Sequence, residues 1–247
     1  MKKAKRLICF LLSVIMALSM SVSVFAAEAQ PAASTTVGTL TIFSSNDGGN
    51  SSWDTSGHAF IAFKNSSSSS VTVGGLNVGA GHEITIGTWG NKSQHTGIWY
   101  NLESYFANNN SAYGNRVSLS MSVTQSDIDT INSIISKNDK WSLTNNCSWF
   151  AVKVWNSVSS KTLSAGTPNT PTSLMSSIKS KTGYQTGRSI SNATPIGYVS
   201  NGSFVTVTMT NAANVFRAGD TAIINTTIGT AEFITPIDMN PYSYIVD

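Results

Sequence analysis

Hydrophobic residues recur along this chain at two different spacings, and the change from one to the other divides it. From Val37 onward, Leu40 and Ile42 alternate with Thr39 and Thr41, the period of a strand. Residues 44–57 are so rich in Ser, Asn, Asp and Gly that they read as a loop. A second strand runs through Gly57-His58-Ala59-Phe60-Ile61-Ala62-Phe63 and ends at Asn65 and five serines. Residues 71–74 pair with it across that serine turn as a hairpin. Residues 83–88 (E-I-T-I-G-T) form a third alternating run, and residues 97–102 and 117–121 add more. This half predicts an antiparallel sheet.

The period then lengthens to that of a helix. Thr124-Gln125-Ser126-Asp127 has the form of a capping box, followed by a single apolar stripe, Ile128, Ile131, Ile134 and Ile135. A second helix is predicted to start near Asn146, with Phe150, Ala151, Val154 and Val158 on one face. A third follows the cap and first-turn proline Thr170-Pro171, carries Leu174, Met175 and Ile178, and closes at Lys179, Lys181 and Gly183. From Ile196 the strand period returns, Val205, Val207 and Met209 alternating with Thr206, Thr208 and Thr210. The expectation is an α+β domain over residues 37–190 and a β-rich C-terminal extension over residues 191–247, with no internal repeat.

Residues 1–26 read as an address. A basic start is followed by a mostly apolar run and then Val24-Phe25-Ala26, small residues at the two positions a signal peptidase reads. Residues 27–36 read as a flexible spacer. The expected destination is outside the cell or in its envelope, with no stable membrane insertion after processing. Cys9 leaves with the address, so the mature chain keeps one thiol, Cys147, and forms no internal disulfide. The chain of 247 residues is 40% hydrophobic but only 11% charged, and its formal charge of +3 includes four basic residues of the address. Without them eleven basic residues face twelve acidic ones. Such a surface has no stripe to neutralise phosphates, which argues against nucleic acid and anionic lipid as partners.

Cys147 carries the candidate chemistry. At the first turn of a predicted helix, unpaired N–H groups and the macrodipole favour an anion, here a thiolate. A helix end alone does too little, and an imidazole is the usual second contributor, forming a thiolate–imidazolium pair. Of three histidines, His82 and His95 fall in loop-like runs, whereas His58 heads an apolar strand that holds its side chain rigidly. Metal binding is not expected, since no two of these residues show ligand spacing, and no cofactor is implied. Trp89, Trp149 and Trp155 read as packing.

Gly57-His58-Ala59-Phe60-Ile61 on a strand, Gly87-Thr88-Trp89 at a later strand end, then Asn146-Cys147 opening a helix and Thr170-Pro171-Thr172-Ser173-Leu174 together resemble the circularly permuted NlpC-type papain-like cysteine hydrolases. His58 precedes Cys147 by 89 residues, the permuted order. The resemblance covers residues 37–190. It implies a papain-like core with the Cys helix packed on an antiparallel sheet, Cys147 as nucleophile, His58 as general base and the Cys147 backbone N–H as an oxyanion donor. It also implies a third polar residue that orients the imidazole, for which Thr88 is the first choice and His82 or Glu83 the second.

The reaction so implied is acyl transfer at an amide bond of a peptide, peptidoglycan or another amide or acyl substrate. Asn146-Cys147-Ser148 is also a glycosylation sequon, and a glycan there would crowd the nucleophile, which fits a bacterial source. Two alternatives remain at this point. One is a secreted binding or adhesion module on the same scaffold; the other is a thiol acyltransferase.

Overall fold

The structure, a computed structural model, describes residues 35–46, 57–90, 95–109, 111–209, 221–226 and 229–234. The expected address and residues 27–34 of the spacer lie outside them. From Thr35 onward the described residues form one compact unit. Its first half is a meander of strands: β1 (Thr36–Ser45), β2 (His58–Asn65), β3 (Val71–Val73), β4 (Leu76–Val78), β5 (Glu83–Gly90) and β6 (Thr96–Tyr100). Helix α1 (Leu102–Asn109) and β7 (Val117–Thr124) lead into three helices, α2 (Gln125–Lys137), α3 (Cys147–Val158) and α4 (Pro171–Lys179). Strands β8 (Gln185–Thr186), β9 (Ile196–Ser200), β10 (Ser203–Met209), β11 (Thr221–Thr226) and β12 (Gly229–Ile234) follow. The class is α+β, with a large antiparallel sheet.

Ten strands form that sheet in the order β12-β11-β10-β9-β6-β5-β2-β1-β7-β8, while β3 and β4 pair separately. The serine turn therefore does not make the expected hairpin with β2. Val73-Gly74-Gly75-Leu76 turns the chain more tightly, Val73 pairing with Leu76, and Gly74 takes a positive φ of 67° that suits glycine. Ser44 and Ser45, expected in a loop, continue β1 and pair with Ala59 and His58. The C-terminal extension joins the same sheet, since Gly197 of β9 pairs with Tyr100 of β6. Among the described residues, no helix is long and apolar enough to cross a membrane.

Alternation along the strands builds a core on each face. Leu40, Ile42, Ala59, Ile61, Ile84 and Ile86 face α2, α3 and α4, and bury Ile128, Phe150, Val154, Trp155 and Leu174. Phe43, Phe60, Ala62, Trp89 and Trp99 face the other way, where α1 and residues 112–113, 190 and 196–198 cover them. Each of the three helices after β7 starts at a side-chain cap. Thr124 and Asp127 cap one another reciprocally, and Asn146 and Thr170 accept from Trp149 N–H and Ser173 N–H. These caps fix where α3 begins, and so where Cys147 sits.

Candidate active site

Cys147 is the first residue of α3 and is fully buried. Asn146 fixes that helix start from two directions. Its Oδ1 accepts from Trp149 N–H at 3.1 Å, and its Nδ2 donates to the Asn169 carbonyl at 2.8 Å, tying the start of α3 to the lead-in of α4. The helix then packs across β2, β5 and β1.

His58 opens β2, 6% exposed, opposite Ser45 of β1. Its ring lies among the aromatics of the second face, 4.2 Å from Trp89 and 6.0 Å from both Phe60 and Tyr113. From this strand end the His58 side chain reaches the start of α3, where it and the side chain of Cys147 are hydrogen-bonded. The fold thus joins the two residues singled out in the sequence.

The third member of the group is Glu103, in the first turn of α1 and fully buried. His58 Nε2 lies 3.0 Å from Glu103 Oε1. Because Nε2 faces the carboxylate, Nδ1 is the nitrogen left for the sulfur. Two further donors hold the carboxylate: Trp89 Nε1–H on Oε1 at 2.7 Å and the Thr85 hydroxyl on Oε2 at 3.0 Å. Burial pushes the imidazole toward its neutral form, but Cys147, by charge and hydrogen bond, and then Glu103, by hydrogen bond and charge, together outweigh it. The His58 pKa is raised from 6.5 to about 9.

The sequence looked for this third residue on β5, and strand parity explains why it is not Thr88. Ile84 and Ile86 face the helical layer, and Thr88, in step with them, shares that face. Its buried hydroxyl has no hydrogen-bond partner among the described residues. Glu83 is on the His58 face but is taken by Arg188 Nη2 at 2.8 Å and by the Ser191 hydroxyl at 2.8 Å. His82 is exposed in the turn before β5. His95 pairs elsewhere, with Asp139 at 2.9 Å. The signal that could have found Glu103 is its setting, Asn101-Leu102-Glu103-Ser104-Tyr105-Phe106. A carboxylate next to Leu102 and close to Tyr105 and Phe106, in a chain poor in charge, is a candidate for a buried pair.

Gly87 makes the contact between Glu103 and His58 possible. A Cβ at that position would overlap Glu103 Oε1 and come within 3.1 Å of His58 Nε2. Gly87→Ala is therefore expected to push the carboxylate off the imidazole, at a cost of about 1–3 kcal/mol in stability. The His58 titration midpoint should fall as well. Urea unfolding and a histidine NMR titration check this, and an unchanged midpoint would mean that Glu103 reaches His58 by another route.

The chain was compared with protein-family models, curated proteins and solved structures, and none of the three comparisons gave a match.

Proposed function

We propose that the chain is an exported thiol hydrolase that cleaves amide bonds of peptide or cell-wall peptide substrates by acyl transfer, on a papain-like core. The observation that carries this reading is the imidazole of His58 held between Cys147 and Glu103, with its pKa raised to about 9. At neutral pH that ring is an imidazolium, which stands beside the sulfur ready as an acid.

In this reading the Cys147 thiolate attacks the substrate carbonyl and a C–S bond forms. The carbonyl π electrons move onto oxygen, where the Cys147 backbone N–H, at the positive end of α3, stabilises them. As the C–N bond breaks, His58 gives its proton to the leaving amine. The neutral imidazole then takes a proton from water, hydroxide attacks the thioester, and the acid and the thiolate are released. Glu103 keeps the ring oriented and offsets its charge throughout.

Alkylation of the thiol tests the ion pair without knowledge of the substrate. Only a few per cent of an ordinary thiol is ionised at pH 7. The native chain should therefore react with iodoacetamide at that pH about tenfold or more faster than His58→Ala, the two rates converging above pH 9. Equal rates at pH 7 would remove the ion pair and, with it, the hydrolase.

A further inference from the structure

We infer that residues 190–195, the lead into the C-terminal extension, act as a strap that holds Glu103 against His58, with Ser104 as the positioning residue. This rests on the function proposed above. It gives the extension a part in the site.

Three polar side chains of the Glu103 segment, Asn101, Ser104 and Asn108, follow one another at intervals of three and four and so share a face. By pattern alone this is a solvated stripe. Instead each of the three bonds the strap. Asn101 Nδ2 donates to the Pro195 carbonyl at 2.7 Å, and Asn108 Nδ2 donates to the Ile190 carbonyl at 3.1 Å. Between them the Ser104 hydroxyl, fully buried, donates to the Ser191 carbonyl at 2.6 Å and accepts from Ala193 N–H at 2.8 Å.

From Ser104 a chain of bonds runs to the imidazole. Ser104 N–H donates to Thr85 Oγ1 at 3.2 Å, the Thr85 hydroxyl donates to Glu103 Oε2 at 3.0 Å, and Glu103 Oε1 meets His58 Nε2 at 3.0 Å. The strap has its own anchors. Ser191 N–H and its hydroxyl bond Glu83 Oε2 at 3.3 and 2.8 Å, Arg188 pairs with Glu83 Oε1, and Ile190 is buried among Phe43, Phe60 and Phe106.

The physical need for a strap follows from the size of α1. Eight residues make about two turns, too short to be stable without tertiary support, so the backbone under Glu103 is placed by what it packs against. A hydrogen bond of 3.0 Å is lost if the carboxylate moves by about an ångström. The titratable groups facing His58 are Cys147 and Glu103, with the ring of Tyr113 at 6.0 Å. Cys147 is on a different layer from the strap, so a change in the strap reaches His58 through Glu103.

The test is an NMR titration of His58 in the full chain, for native, Ser104→Ala, Asn108→Ala and Ser191→Ala proteins, with iodoacetamide rates measured alongside. Ser104→Ala should lower the midpoint by about one unit, a tenfold change in proton affinity. Asn108→Ala should shift it less in the same direction, and decides the matter if Ser104→Ala does not fold. Ser191→Ala keeps the carbonyl that Ser104 uses and its N–H bond to Glu83, so its midpoint should move by less than that of Ser104→Ala. Native-like midpoints in both Ser104→Ala and Asn108→Ala would overturn the inference, as would an equal shift in Ser191→Ala, which would place the hold at Glu83. Failure of the hydrolase reading is distinguishable, because it shows as slow alkylation of the native chain whatever the strap variants do to His58.

Discussion

Replacing Glu103 by alanine is expected to lower the unfolding free energy by about 3–5 kcal/mol, the usual loss when one partner of a buried charged pair is removed. The reason lies in what the carboxylate leaves behind. His58 Nε2, Trp89 Nε1–H and the Thr85 hydroxyl all converge on it, and none can turn to solvent, since Trp89 and Thr85 are 3% and 1% exposed. Each stranded donor costs about 1–3 kcal/mol, and the three are coupled, so their costs do not simply add. The melting temperature should fall on the order of 10 °C. Glu103→Gln keeps the volume and one acceptor oxygen, and its amide can donate to a reversed Thr85 hydroxyl, so its loss should be about half as large. Urea and thermal unfolding measure both. A Glu103→Ala protein within about 1 kcal/mol of the native one would show that the donors have other partners.

How much of this was legible beforehand depended on whether the signal was local. The starts of α2, α3 and α4 were readable because a cap is a short motif with its own chemistry: Thr124 with Asp127, Asn146, and Thr170 before Pro171. Cys147 and His58 followed, since one opens a capped helix and the other heads an apolar strand. Helix α1 is not readable, because the strand pattern of residues 97–102, which is β6 as far as Tyr100, runs into it without a break. Leu102 and Phe106 are its buried apolar side chains, too few to set a period, and its polar stripe is spent on the strap, which lies more than eighty residues further along. Glu103 was hidden for the same reason. Its pairing needs the chain to reverse after β6, which Asn101 does at a φ of 62°, so that α1 lies back over β5. The hairpin Val73-Gly74-Gly75-Leu76, by contrast, carries a local signal, two glycines between alternating runs, which competes with that of the longer serine turn beside it.

The contribution of His58 to the stability of the native chain is also expected to fall by about 3 kcal/mol as the pH rises from 6.5 through 9, and the sign follows from its proton. Its folded pKa of about 9 lies above the unfolded value of 6.5. Below pH 6.5 both states hold the proton, and the stabilisation of the imidazolium is fully present. Between the two values the folded chain keeps a proton that the unfolded chain has released, so each unit of rising pH costs about 1.4 kcal/mol. Above 9 both rings are neutral and the contribution is gone. NMR titration of the His58 ring in the native chain at intervals from pH 6 to 9.5 reads this contribution directly. A midpoint near 6.5 would mean that the ring titrates normally and that the pair does not exist. The sulfur is the larger of the two favourable causes, so Cys147→Ser should lower the midpoint more than Glu103→Gln does. The reverse order would move the source of the raised affinity from the thiolate to the carboxylate, leaving a histidine charged for structural reasons beside a thiol of ordinary reactivity.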